Sequence, residues 1–269
     1  MRNKAYFLSD LHLGATYIED TRESERRVVR FLDSIARDAA EIYLLGDILD
    51  YWYEYRYVVP RGYVRFFGKL AELSDAGVKI TWIIGNHDIW IFDYIPTELG
   101  VKVVDGVLDC TVLDKLRVVM AHGDGIWKSD LLFPIIRGIF RNRFCQKLYA
   151  SIHPRWTVPF AYRWSNHSRW QGEEELRRRE REREEMKRRR EGLPENIRQL
   201  VTFCNNYTDS LLRAGETDLP KYYLFGHLHE VVEERLEHGA EMLVIGDWLV
   251  KFSYAVFDGQ SLKLEYYKE

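Results

Sequence analysis

Ala5-Tyr6-Phe7-Leu8-Ser9-Asp10-Leu11-His12 is an apolar run that ends, one residue later, in an Asp-x-His pair. Four apolar residues leading into metal-ligand-type side chains predict a buried strand whose carboxyl end carries chemistry. The pattern recurs along the chain. Ile42 to Leu45 enters Gly46-Asp47-Ile48-Leu49-Asp50, and Val78 to Ile84 enters Gly85-Asn86-His87-Asp88. Leu116 to Ala121 enters His122-Gly123-Asp124, and Tyr222 to Phe225 enters Gly226-His227-Leu228-His229.

Between the first three runs lie two segments of helical spacing. Arg22 to Arg37 places Val28, Val29, Leu32, Ile35 and Ala36 on one face, and Tyr63 to Ser74 does so with Val64, Phe66, Phe67, Leu70 and Leu73 before Gly77 stops it. A β-α-β-α-β succession predicts an α/β sheet whose ligands sit on loops at the strand carboxyl ends. Val101 to Val104 and Val107 to Leu113 read as further strands, and Glu195 to Leu212 as an amphipathic helix. Val231 to Leu236, Met242 to Ile245, Phe252 to Phe257 and Ser261 to Tyr266 then follow as strand after strand, which implies a second sheet packed on the first.

A chain of 269 residues with 46% hydrophobic content can bury a large core, which excludes a disordered or fibrous protein. Residues 1–126 and 194–269 are expected to form one catalytic domain, with 127–193 as an inserted helical lid. The three cysteines, Cys110, Cys145 and Cys204, are far apart and outside any Cys-x-x-Cys spacing, so reducing cytosol fits better than a disulfide framework or a thiolate zinc site. Met1 to Leu8 lacks a signal-peptide pattern, and no apolar run approaches the roughly 20 residues of a membrane span. A soluble or peripheral cytoplasmic protein is expected.

Charge is uneven. Residues 127–171 carry eight basic residues against the single acid Asp130, a local +7 in a chain of net charge −3, which leaves −10 elsewhere. Such asymmetry predicts an anionic partner, either a membrane surface or a phosphorylated ligand. Residues 173–191 alternate Glu and Arg at i,i+4 spacing and predict a solvated helix. Acids there nearly cancel bases, so nucleic acid is not an expected partner.

Asp10, His12, Asp47, Asn86, His122, His227 and His229 are seven ligand-type residues in five blocks, each at a strand end. Two divalent ions about 3.5 to 4 Å apart activate a shared water and clamp a phosphate. Ions that close need a bridging anion, for which Asp47 is the candidate. Imidazole and carboxylate together suit Mn, Fe, Zn or Co better than Ca, and manganese is the expected ion.

Asp10-x-His12, Gly46-Asp47-x-x-Asp50, Gly85-Asn86-His87-Asp88, His122 and Gly226-His227-x-His229 resemble the motif set of the calcineurin-like metallophosphoesterase superfamily. That resemblance implies an α/β fold of the two-sheet α/β/β/α kind. It further implies that Asp10, His12, Asp47 and His229 hold one ion, and Asp47, Asn86, His122 and His227 the other. His87 would be an electrostatic stabiliser or general acid beside the leaving group; its alternative is a partner held by Asp50 or Asp88. Catalysis is thus expected of Asp47, Asn86 and His87.

Leu131, Leu132, Phe133, Ile135, Ile136, Ile139, Phe140, Phe144, Leu148 and Tyr149 interleave with Arg137, Arg141, Arg143 and Lys147. That mixture predicts a segment lying in a membrane interface or covering a lipid. Because it follows the His122 loop, it is expected to overhang the metals. The lid and its flanking runs, Phe144-Cys145-Gln146, His153-Pro154 and Trp164-Ser165-Asn166-His167-Ser168-Arg169, are similar to the Bacteroidetes-like branch of the UDP-2,3-diacylglucosamine pyrophosphatases of lipid A synthesis. This similarity implies a nucleotide-linked acylated sugar as substrate, touched by Asp130, Asn166 and Arg169, with Asn86 and His227 contributing from the metal side. One departure stands out: His87 occupies a position where the enterobacterial branch has arginine. A phosphodiesterase or pyrophosphatase for another nucleotide or lipid-linked substrate is the alternative. A non-catalytic scaffold would be marked by lost ligands, and all seven positions are intact.

Overall fold

Along strand β1 (Lys4–Leu8) side chains alternate between two environments, as the two-residue period of a strand requires. Ala5 and Phe7 enter the central apolar cluster, while Tyr6 meets Phe31 of helix α1 (Thr21–Ile35) edge-on, with ring centroids 6.2 Å apart. One strand thus serves a sheet–sheet core and a sheet–helix layer. A computed structural model describes residues 2–126, 138–163 and 192–268 together with Arg178 and Arg181.

Strands β2 (Ala39–Leu44), β3 (Lys79–Ile83) and β4 (Lys102–Val104) extend β1 in parallel, joined by α1, by α2 (Val64–Asp75) and by α3 (Tyr94–Leu99). β5 (Leu108–Val112) and β6 (Leu116–Ala121) form an antiparallel hairpin, and β7 (Tyr222–Phe225), β8 (Val231–Arg235) and β9 (Glu241–Ile245) complete its sheet. β10 (Ser253–Phe257) and β11 (Leu262–Tyr266) return to the first sheet. The sheets therefore read β11-β10-β1-β2-β3-β4 and β5-β6-β7-β9-β8. Their facing residues, among them Phe7, Tyr43, Ile83, Met120, Leu224, Ile245 and Phe257, form one buried cluster.

The C-terminal strands are as the sequence indicates, but they do not all join one new sheet. β8 and β9 pair within the second sheet, whereas β10 lies antiparallel to β1 at the edge of the first. The register Ala5 with Phe257 and Phe7 with Ala255 places small and large side chains alternately on the core face. That cross-strand fit, invisible in local periodicity, decides the sheet.

Caps explain where the helices begin. Asp20 accepts hydrogen bonds from the backbone of Arg22 and Glu23 at the start of α1. Tyr63 precedes α2 with φ 62° and caps nothing with its side chain. Glu25 of α1 does so instead, its Oε1 accepting from the N–H groups of Arg65 and Phe66 at 2.8 and 3.1 Å.

The chain divides into two compact units, residues 1–123 with 217–269, and residues 124–216. Helix α5 (Glu195–Arg213), which the sequence reading joins to the catalytic domain, falls in the second unit. The second unit also holds α4 (Arg143–Ser151) and a helical stretch over 154–163. The charged tract 173–191 lies outside the described residues apart from Arg178 and Arg181. Among the described residues, no helix is long and apolar enough to cross a membrane.

Candidate metal centre

Five of the seven ligand-type residues have left-handed backbone: Asp10 (φ 53°), His12 (43°), Asp47 (52°), His227 (65°) and His229 (54°). Asp and His tolerate that region better than most residues, yet each such position costs of the order of 1–3 kcal/mol. The reason lies in the turn: the chain leaves a parallel strand and swings its next side chain back over the sheet end. Loop-to-loop hydrogen bonds hold this shape, with Asp10 N–H donating to Gly46 O (3.1 Å) and His12 N–H to Asp47 O (3.0 Å).

Glycines let the loops approach. A Cβ on Gly226 would overlap Ser9 Oγ and Asp10 Oδ2, and one on Gly85 would strike the Asp47 carboxylate. Neither has positive φ, so their requirement is space alone. Asp88 ties two loops together: its carboxylate accepts from the N–H groups of Gly85 and Ile48 and from the Trp82 indole at 2.7, 2.9 and 3.0 Å.

Two groups of side chains converge. In the first, Asp10, His12 and His229 bring ligand atoms within 4.8 Å of one another. In the second, Asp47, His122 and His227 do the same. Asn86 joins the latter, its Oδ1 3.1 Å from His122 Nε2. Asp47 Oδ2 lies between the groups, 3.7 Å from His12 Nε2 and 3.3 Å from His122 Nε2. All seven sequence-derived ligand candidates thus meet in one place, and His87 sits with Asp47 and His12. Asp130, Asn166 and Arg169 lie outside the described residues.

The donor set fits divalent cations. Asp10 is fully buried, and its Oδ1 takes no hydrogen bond while facing His229 Nε2 at 3.4 Å and His12 Nε2 at 3.6 Å. A buried carboxylate oxygen left so is costly unless a cation satisfies it. His122 shows the matching tautomer: its Nδ1 is 2.8 Å from Leu45 O, a group that only accepts, so Nε2 keeps a lone pair for the site.

Titration behaviour follows from crowding. Burial, helped by the neighbouring Asp47 carboxylate, pushes Asp10 up to about 7. Burial raises Asp47 too, but His122, His87 and His12 outweigh it and hold this carboxyl well below its usual range. Burial likewise opposes charge on His87, yet Asp47 and Asp50 prevail and raise its pKa. His227 is driven down by burial and by His122, so it stays neutral, as a ligand must.

Sequence reading gave little weight to Asp50 and overlooked Asp247. Asp50 Oδ1 lies 3.5 Å from His12 Nδ1 and 3.6 Å from His87 Nδ1. Asp247 Oδ2 lies 3.8 Å from His229 Nδ1. A signal for Asp247 existed, because Gly246-Asp247 follows the apolar end of β9 just as Gly46-Asp47 follows that of β2.

The profile of the calcineurin-like phosphoesterases matches residues 4–231, a span that contains every one of these loops except Gly246-Asp247. The chain belongs to the calcineurin-like phosphoesterase family and is a metal-dependent hydrolase. It is similar to the UDP-2,3-diacylglucosamine hydrolase of Porphyromonas gingivalis, with 41% identity over 98% of each chain. The enzyme of the same name from Ralstonia nicotianae is 27% identical over 97% of this chain and 88% of its own. Family membership implies divalent metal ions, for which the two groups of histidine and aspartate are the candidate holders.

Proposed function

We propose that the protein hydrolyses the pyrophosphate of UDP-2,3-diacylglucosamine to UMP and 2,3-diacylglucosamine 1-phosphate, a step of lipid A synthesis. The observation that carries the reading is the position of Asp47 between two imidazole groups, joined to full-length similarity with hydrolases of that name. Asp10, His12, Asp47 and His229 would hold one ion, and Asp47, Asn86, His122 and His227 the other. Manganese is the proposed metal. Such ions neutralise phosphoryl oxygens and make water nucleophilic at neutral pH.

The chain's own groups do the rest. Water oxygen bonds to the UMP-side phosphorus and gives up its proton to solvent as the anhydride P–O bond breaks, and the sugar phosphate departs with that bond's electron pair beside His87. The carboxylates of Asp47 and Asp50 favour the imidazolium form there, so His87 can stabilise that charge or donate a proton. Asn86 and His227 flank the reacting phosphate. Asp130, Asn166 and Arg169 are proposed to contact the glucosamine phosphate or its acyl amides.

With an acylated substrate, the proposed place of work is the cytoplasmic face of the inner membrane. Helix α4 supports this, since none of its residues is buried and Phe144 and Leu148 are 70% and 54% exposed beside Arg143 and Lys147. The adjoining 154–163 stretch presents Trp156 and Phe160 with Arg155 and Arg163. A surface both apolar and cationic suits an anionic lipid interface.

The deciding experiment compares UMP release from UDP-2,3-diacylglucosamine with that from the unacylated UDP-sugar in the manganese-loaded protein. A strong preference for the acylated substrate is expected. Equal rates would move the assignment to another nucleotide or lipid-linked pyrophosphate.

A further inference from the structure

The loop after β9, Gly246 to Phe252, lies beyond the family match yet reaches back to two residues of the first metal-ligand group. Trp248 N–H donates to the backbone oxygen of Asp10 at 3.1 Å. Lys251 Nζ donates to the backbone oxygen of His229 at 2.8 Å. Behind the His229 ring stands Asp247, 3% exposed, with Oδ2 3.8 Å from Nδ1. The opposite ring nitrogen, Nε2, faces Asp10 Oδ1.

Asp247 is itself fixed. Its Oδ1 accepts from the N–H groups of Leu249, Val250 and Lys251 at 2.9, 2.8 and 3.1 Å. One carboxylate oxygen therefore shapes the loop while the other is turned to the imidazole. We infer that Asp247 is a positioning residue that holds His229 with Nε2 toward the first ion, and that the 246–252 loop is the brace which registers His229 against Asp10. At 3.8 Å the contact is electrostatic; a carboxylate charge behind a ligating imidazole raises its basicity, and losing such a partner costs metal affinity about 10- to 100-fold.

The inference rests on the reading that Asp10, His12, Asp47 and His229 hold an ion. Its test is Mn titration of the metal-free full-length protein, wild type against Asp247→Asn. Asparagine keeps an oxygen for the three N–H groups, so the loop retains its shape and only the charge facing His229 is lost. Asp258→Asn is the matched control, because Asp258 accepts from Gln260 and Ser261 in a similar turn at the β10–β11 hairpin. Expected is two equivalents in every variant, with one of them weakened about 10- to 100-fold by Asp247→Asn alone and an unchanged melting temperature of the metal-free protein. Asp247→Glu, which restores the charge, should recover part of that loss.

Unchanged affinities for both equivalents in Asp247→Asn would overturn the inference and leave the two-metal reading intact. Fewer than two equivalents in wild type would overturn both. A lower melting temperature with both equivalents weakened equally would make Asp247 a fold residue and overturn the positioning role.

Discussion

The Nδ1 atom of His87 lies 2.9 Å from the backbone carbonyl oxygen of Asp50. A carbonyl only accepts, so Nδ1 carries the hydrogen and the proton that comes and goes belongs to Nε2. Asp47 and Asp50 raise the His87 pKa against the effect of burial, so the imidazolium persists above its usual range and is lost as pH rises through the raised value. His87→Gln should lower turnover about 100- to 10,000-fold, the usual worth of a general acid, and remove the alkaline fall of the pH–rate profile. Metal content, measured by elemental analysis, should stay at wild-type level. An unchanged profile would leave His87 as a structural neighbour.

Asp47→Asn removes the carboxylate whose Oδ2 lies between His12 and His122. An amide carries no negative charge to share between two ions, so bound metal should fall below two equivalents and turnover by about 100- to 1,000-fold, the scale of a lost electrostatic element. Retained hydrolysis at full metal content would refute the bridge.

Metal uptake should compete with protons. Asp10 titrates near 7 because burial and Asp47 disfavour its charge, so below that pH an incoming cation must displace a proton. Affinity for Mn should therefore tighten between pH 6 and pH 8, with proton release detectable by calorimetry in two buffers. Stability shifts with pH as well: a carboxylate raised from 3.8 to about 7 destabilises the metal-free fold progressively as pH rises through that interval, which chelator-treated protein should reveal as a falling melting temperature.

Gly226→Ala should cost about 1–3 kcal/mol, the range for overpacking a tight site, and weaken metal binding by displacing Asp10. Gly68 in α2 is the contrast, since a Cβ there meets nothing within 4 Å. Gly68→Ala should stabilise by about 0.5–1 kcal/mol as a helix-interior replacement. Denaturant unfolding of both variants checks the pair; equal effects would contradict the close approach at Gly226.

Binding to anionic vesicles should weaken as salt rises, because the basic residues of the second unit act through screened charge. Phe144→Ser with Trp156→Ser should reduce co-sedimentation further by removing two exposed apolar anchors. Salt-insensitive or absent binding would exclude this surface from membrane attachment.

Much of the site is legible because each ligand block is a local event. An apolar strand runs within one or two residues into the ligand, through glycine before Asp47, Asn86 and His227, through Ser9 before Asp10 and directly before His122, so these five can be read in order without knowing what lies opposite. Helix α3 is not legible in this way because its start is set from afar: Glu54 accepts from the N–H groups of Phe92, Asp93, Tyr94 and Ile95, and no periodicity announces such a cap. Asp247 does have the local form, Gly246-Asp247 at the end of β9, but nothing near it in sequence shows that its carboxylate faces His229 of another loop.

By itself the sequence determined the class of chemistry, because residue type, strand-end placement and order are all local properties of the chain. Tertiary structure decided which side chains face one another. His227 N–H meets Asp10 Oδ2 at 2.9 Å across a separation of 217 residues, and β10 chooses β1 instead of β9 as its partner. Those pairings depend on the packing of two sheets and on loops that only glycine allows to touch, and neither is encoded in any single stretch.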